Sequence, residues 1–170
     1  MKEIISDGNL FMRPVSTRDA CCVTTNGVLR HDGKAVMGAG IAKYCRDNFN
    51  GVDKTLGKLI KEGGNHAYYL GHWVFRPDTS GFLLFSFPTK DDWRDDSKPE
   101  LIRQSCKEVM KLADIYFVDG HIYLPCPGCN NGRLNYWQDV RYILHEELDD
   151  RFVVCISHSI MRKYENKERN

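Results

Sequence analysis

Charge of one sign is what this chain most lacks. Its 170 residues carry 24 Lys and Arg against 23 Asp and Glu, a formal net charge of +1. A protein that coats nucleic acid or an acidic membrane surface shows a clear basic excess, so an anionic partner has to be gripped locally here. Long apolar runs are missing as well. No stretch approaches the roughly 20 residues of a membrane span, and Met1 to Asp7 has no signal-peptide core. The seven cysteines are an odd number, which suits a reducing compartment better than a disulfide scaffold. A cytoplasmic location and no membrane partner are therefore expected. Internal repeats and Pro-rich or Ser-rich linkers are also absent. What is present, 42% apolar and 28% charged residues, is the profile of one globular domain.

Apolar runs alternate with helix-like segments. Ile4-Ile5 opens a short strand that closes at Asp7-Gly8-Asn9, and Cys21 to Thr25 forms a second that ends at Asn26-Gly27. Met37-Gly38-Ala39-Gly40 leads into a helix over Ile41 to Arg46, and another helix covers Thr55 to Lys61 and stops at Gly63-Gly64. Tyr68 to Phe75 and Gly81 to Phe87 read as a hairpin around Arg76 to Ser80, with Pro88 to Arg94 as a polar loop. Ser97-Lys98-Pro99-Glu100 has capping-box spacing and starts a helix with Leu101, Ile102, Val109, Leu112 and Ala113 on its apolar face. His121 to Pro125 is a strand running into Pro127 to Gly132. Asn135 and Gln138 cap the next helix, which buries Val140, Ile143, Leu144 and Leu148. Phe152 to Ile156 is a strand buried on both faces. Residues 1–158 make a single domain and 159–170 a charged, flexible tail.

This order predicts an α/β chain, a mixed sheet between two helical layers. In such sheets ligands bind beyond the carboxyl ends of the strands. Two glycine-rich loops, Gly38 to Gly40 and Gly128 to Gly132, sit at those junctions. A helix N-terminus there offers free N–H groups and a partial positive charge, so the pair can hold a diphosphate; each loop alone is also an ordinary tight turn. Neither matches a P-loop or a complete G-x-G-x-x-G, which argues against an ordinary kinase or dehydrogenase.

Four further groups carry two readings each. Lys90 ends a β-prone run beside Trp93. Desolvated, it is an amine nucleophile; solvated, it is a loop-edge lysine. Cys126-Pro127-Gly128-Cys129 is a C-x-x-C without a matching second pair, since Cys21-Cys22 is adjacent rather than spaced. It is a redox pair or half a zinc site, or else buried thiols in a turn; the last is the expectation, with no metal and no cofactor. Asp91, Asp92, Asp95 and Asp96 hold a general base or form a solvated acidic loop. Asn9 and Asn26 are turn residues or amide contacts to a ligand.

Taken together, these residues resemble the macrodomain family, the ADP-ribose-binding α/β/α module. Val23 to Asn26, Met37 to Ala42, and Leu124 to Leu134 followed by Trp137 and Val140 are similar to its strand-ending segment and two ligand loops. The similarity spans about residues 3–157, nearly the whole domain. Phe87-Pro88-Thr89-Lys90 before Trp93-Arg94 is similar to the branch that holds the terminal ADP-ribose glycohydrolase and an antitoxin macrodomain acting on ADP-ribosylated DNA. The resemblance implies a three-layer macrodomain-like sandwich with Lys90 catalytic. It implies ADP-ribose contacts from Asn9, Leu10, Asn26, Met37, Gly38, Ala39, Gly40 and Ile41, and from Pro127, Gly128, Cys129, Asn130, Asn131, Gly132, Arg133 and Leu134. The chain departs from the family twice. The second loop reads Asn130-Asn131-Gly132, without the aspartate of the terminal glycohydrolase, and Asn9 stands where many members have an adenine-binding Asp.

The expectation is an ADP-ribosyl hydrolase that removes ADP-ribose from a modified nucleic acid or protein through Lys90. A non-catalytic ADP-ribose-binding module and a phosphatase of ADP-ribose 1″-phosphate are the alternatives. The partner is ADP-ribose or an ADP-ribosylated macromolecule, without broad DNA-backbone binding, and the protein is expected to be a monomer.

Overall fold

The computed structural model describes residues 1–75, 77, 80–116 and 118–168. Six strands form one sheet: β1 (Lys2–Ile5), β2 (Ala20–Asn26), β3 (Tyr69–Trp73), β4 (Phe82–Lys90), β5 (Ile122–Pro125) and β6 (Phe152–Ile156). Their order across the sheet is β1-β6-β5-β2-β4-β3. Every pairing is parallel except β3 with β4. The helices are α1 (Gly40–Asn48), α2 (Val52–Gly63), α3 (Pro99–Ile115), α4 (Arg141–Glu147) and α5 (His158–Glu168). The α/β expectation with a mixed central sheet holds.

Side-chain alternation along the strands explains the layers. In β2, Cys22 joins the core beneath α3 and α4, with Phe85, Ile122, Phe152, Ile102, Val109 and Leu144. Cys21 and Val23 point to the other face and meet Leu84, Phe82, Cys45, Leu56 and Ile60 beneath α1 and α2. Ala20 to Val23 are fully buried because parallel strands are covered on both faces. Burying one such aliphatic side chain is worth about 1.5–3 kcal/mol, so this two-sided packing is the main force holding the strands in register.

Several local expectations are corrected. β4 does not release the chain at Phe87; it stays paired with β2 as far as Lys90. The register slips between Thr25 and Asn26, so Pro88 lies opposite Thr25 and Lys90, not Thr89, lies opposite Asn26. This bulge re-aims the strand end. The capping box at Ser97 does not form. The N-cap is Lys98, without a side-chain cap bond, and Pro99 opens α3. Ser97 instead turns inward, where its hydroxyl has no hydrogen-bond partner, and its N–H donates to Gly132 O at 2.9 Å. The expected charged tail continues as α5, because Ile160 is buried against the sheet and Asp7 accepts the His158 N–H at 2.9 Å. Asn135 caps as expected, accepting from Trp137 and Gln138 N–H, but a π-type turn over Tyr136–Val140 precedes α4. Of the hairpin turn, Arg76, Asp78 and Thr79 lie outside the described residues, as does the far end of the charged tail, residues 169–170.

Candidate functional site

The parallel strands β1, β6, β5, β2 and β4 all end on one edge of the sheet, and the cleft lies there. It has two adjoining chambers of about 430 and 410 Å³. The first, beyond β2 and β4, is lined by Asn26, Gly38 to Ala42, Thr89, Lys90, Trp93 and the Gly128 to Gly132 loop. The second, beyond β1 and β6, is lined by Ser6 to Phe11, Tyr44 and Ser157. Gly40, Ile41, Pro125, Cys126 and Asn130 line both and form the waist between them.

The waist is made where the two glycine loops meet. Gly40 has φ +55°, and a Cβ added there would lie 3.2 Å from Asn131 Nδ2. It opens α1, whose N-cap Ala39 contributes no side-chain cap and whose first turn has no acidic residue. The first N–H groups of this nine-residue helix have no intrahelical partner and face the cleft, a ready anion site. The second loop is drawn tight from beneath: a Cβ on Gly132 would collide with the Ser97 hydroxyl and with Gly128 O.

Lys90 is buried, 7% exposed. That decides against the solvated reading. Its ammonium donates to Asp95 O at 2.7 Å and Asn131 O at 2.9 Å, so it joins the loop after β4 to the second glycine loop. Burial, then the Arg133 cation, pulls its pKa below the ordinary lysine value, against smaller opposing pulls from Asp96 and Asp95. No carboxylate lines this chamber among the described residues. Three of the four aspartates beside it are engaged elsewhere: Asp91 with Lys98, Asp92 with Arg94, and Asp96 with Arg133.

Both asparagines hold turns, and both border the cleft. Asn26 Oδ1 accepts from Val28 N–H and its Nδ2 donates to Val36 O, both at 3.0 Å, while the residue lines the first chamber. Asn9 Oδ1 accepts from Phe11 N–H at 3.0 Å and its Nδ2 donates to the Tyr44 hydroxyl at 2.7 Å in the second chamber.

Of the residues expected to touch ligand, Asn9, Leu10, Asn26, Gly38, Ala39, Gly40, Ile41, Lys90, Gly128, Asn130, Asn131 and Gly132 line the cleft. Met37, Pro127, Cys129, Arg133 and Leu134 do not. Met37 and Cys129 are buried in the two cores. The second loop coils so that Pro127 turns inward, and Leu134 packs against the core. Arg133, the only non-glycine residue with positive φ among the described residues, at +62°, swings outward to Asp96. The sequence reading missed Trp93 and Tyr44 as cleft residues. The spacing of Trp93, three residues beyond Lys90, was the available signal for the first. The second sits on the α1 turn facing Phe11 at a ring separation of 5.9 Å.

Cys126 and Cys129 are free thiols. Burial raises both pKa values, that of Cys129 to about 12. No cluster of three metal-ligating side chains occurs among the described residues, and no described helix is long and apolar enough to cross a membrane.

No protein-family model matches the chain. Solved structures do. The macrodomain of Thermus aquaticus DarG superposes with a TM-score of 0.68 at 24% identity, over 91% of this chain and 97% of that one. The fold is that of a macrodomain. Thermosipho africanus DarTG in complex with ADP-ribose superposes at TM-score 0.71 and 18% identity, over 91% of this chain and 41% of that one. A Thermus aquaticus protein named DNA ADP-ribosyl glycohydrolase is 28% identical over 142 residues, and this chain spans 36% of its length.

Proposed function

We propose that this chain is an ADP-ribosyl hydrolase that removes ADP-ribose from a modified macromolecule. The observation that carries the reading is Lys90: a buried amine with a depressed pKa, held at the end of β4 in a chamber without a carboxylate. The diphosphate lies across the waist, on the N-terminus of α1 and the second glycine loop. The adenosine end occupies the chamber of Asn9, Phe11 and Tyr44. The distal ribose sits by Asn26, with its anomeric carbon facing Lys90.

From there Lys90 has two routes to bond cleavage. As a nucleophile, the neutral amine forms an N–C1″ bond while the C1″ bond to the aglycone breaks; the aglycone leaves with the electron pair, the amine gives up a proton, and water then releases ADP-ribose. As an ammonium, it stabilises the departing group. Both routes require an amine at this place. The relative named DNA ADP-ribosyl glycohydrolase supports the hydrolase reading and a nucleic-acid substrate.

A second reading, ADP-ribose binding without cleavage, draws on the two carbonyls that already occupy the Lys90 ammonium. One experiment separates them. ADP-ribosylated single-stranded DNA and ADP-ribosylated protein are offered side by side to wild type and Lys90→Met, with ADP-ribose affinity measured by calorimetry. The hydrolase reading expects turnover to fall by at least about a hundredfold, with binding largely kept. Tight binding by wild type without release from either substrate sinks it in favour of the binding module.

A further inference from the structure

We propose that Tyr44 is a specificity-determining residue of the second chamber. Its hydroxyl donates to the base of the bound nucleotide, so the chamber takes a purine by its acceptors and does not require a 6-amino group. This reading rests on the placement of the adenosine end above and is independent of cleavage by Lys90.

The direction of one hydrogen bond carries it. Asn9 is the N-cap of the short helical turn Leu10–Met12. The Phe11 N–H donates to the Asn9 side chain at 3.0 Å, and an N–H can meet only the amide oxygen. That fixes which end of the amide is which, because the opposite assignment would set two donors against each other. Asn9 Nδ2 is then the atom at the Tyr44 hydroxyl, 2.7 Å away, and it donates to the hydroxyl oxygen. A tyrosine hydroxyl has one proton. With Asn9 as donor, that proton turns away from Asn9, and no group of the protein accepts it among the described residues. Tyr44 lines the second chamber, so the chamber holds an uncommitted donor.

The donor is held in place from both sides. Leu10 and Phe11 are buried, 5% and 2% exposed. The Phe11 ring packs edge-on against Phe49 at 5.1 Å and stacks on Tyr44 with 15° between the ring planes. Tyr44 stands on α1 one turn beyond Gly40, so a single helix presents its N-terminus to the diphosphate and this hydroxyl to the base. An acceptor for an amino group would have to come from the carboxylate of Asp7 or from Asn9. Asp7 Oδ1 accepts the His158 N–H and Oδ2 faces the His158 ring Nδ1, both at 2.9 Å. Asn9 Oδ1 is committed to Phe11.

Matching donors to acceptors then sets what fits. An O–H pairs with a ring nitrogen or a 6-oxo group, which accept, rather than with an amino group, which donates. Adenine and hypoxanthine both offer such acceptors. A carboxylate in place of Asn9 would reverse the polarity. It has no N–H for the tyrosine oxygen, so it takes the tyrosine proton and leaves only oxygens facing the base.

The test titrates the full chain by calorimetry with ADP-ribose and with its hypoxanthine counterpart, inosine diphosphate ribose, as wild type, Tyr44→Phe and Asn9→Asp. Wild type is expected to bind the two ligands within about fivefold of each other. Tyr44→Phe keeps the ring against Phe11 and should lose about 3- to 10-fold on both ligands, the worth of one hydrogen bond. Asn9→Asp keeps the cap on the Phe11 N–H and should bind ADP-ribose about tenfold or more tighter than the inosine ligand. Thermal melts check that both variants are folded. Unchanged affinity in Tyr44→Phe overturns the proposal. So does a wild-type preference for ADP-ribose beyond the stated range, or a ligand ratio that Asn9→Asp leaves as it was. In each of these cases ADP-ribose still binds, and the placement of the nucleotide in the cleft stands. A wild type that binds neither ligand sinks that placement, and this proposal with it.

Discussion

Gly40→Ala separates the two jobs of the first glycine loop. At φ +55° an alanine sits in the left-handed region, which costs roughly 1–2 kcal/mol for a residue with a Cβ. The added methyl lies 3.2 Å from Asn131 Nδ2. That amide belongs to an exposed side chain and yields by a few tenths of an ångström, so backbone strain dominates the stability loss. For a domain of this length the strain corresponds to a melting point about 2–8 °C lower. The methyl also stands in the waist, over the N-terminus of α1, where the diphosphate has to approach the backbone. ADP-ribose affinity should fall by about tenfold or more, beyond what strain explains in a protein still folded at the assay temperature. Gly38→Ala is the control for stability. A Cβ there meets nothing within 4 Å, so the melting point should hold or rise slightly, by up to ~1 kcal/mol of unfolded-state entropy. The assays are thermal denaturation and calorimetric titration of ADP-ribose at a temperature where both variants are folded. A Gly40→Ala protein that melts lower yet keeps its affinity would refute the path of the diphosphate across the waist.

Other outcomes follow from the same geometry. If Lys90 reacts as a neutral amine, hydrolysis should rise with pH up to a limit set below the ordinary lysine pKa, because burial and Arg133 disfavour the charged form; Arg133→Gln should move that limit upward. A rate that falls as pH rises through the same range would assign the ammonium instead, and borohydride trapping of a lysine adduct gives an independent readout. The depressed pKa also means that the charged form of Lys90 weakens the fold, so stability should increase with pH between the folded and unfolded lysine values; urea denaturation of wild type against Lys90→Met checks the sign. Ser97→Ala should be neutral or stabilising in a thermal melt, since the hydroxyl is buried without a partner. A loss of about 1 kcal/mol would instead restore the capping-box reading. Thiol labelling of the native chain should be slow throughout and fastest at Cys155, the least buried of the seven, whose pKa is raised to about 11 by burial; prompt labelling of Cys126 or Cys129 would contradict their packing.

Much of this architecture was legible in residue order, and the reason is periodicity. The continuous apolar strand at Phe152 to Ile156 and the 3.6-residue spacing of Val140, Ile143 and Leu144 each report local geometry that any window of the chain carries. The glycine loops announced themselves for the same reason: a backbone that must pass close to another group excludes side chains, and that exclusion is written locally. Net charge near zero was legible too, and the fold gives it a meaning. The cleft offers helix-terminal N–H groups, which formal charge does not count, and its rim cations are already paired.

Long-range contacts decided the rest. Lys90 alone is compatible with a solvated loop or a buried amine. Only the β2–β4 pairing, with its bulge opposite Asn26, and the carbonyls of Asp95 and Asn131 settle that it is buried. Ser97 has the spacing of a cap, but closure of the Gly128 to Gly132 loop over it requires it to face inward. Four residues of the two loop motifs turn away from the cleft because a loop that coils over a core must send some side chains inward, while Arg133 turns outward to Asp96, and no motif states which ones. Trp93 acquires its place only when its loop is tied to Lys90 by a hydrogen bond through space. Sequence spacing reports what neighbouring residues require of each other; which groups share a cleft depends on pairings between distant segments, and those exist only in the folded chain.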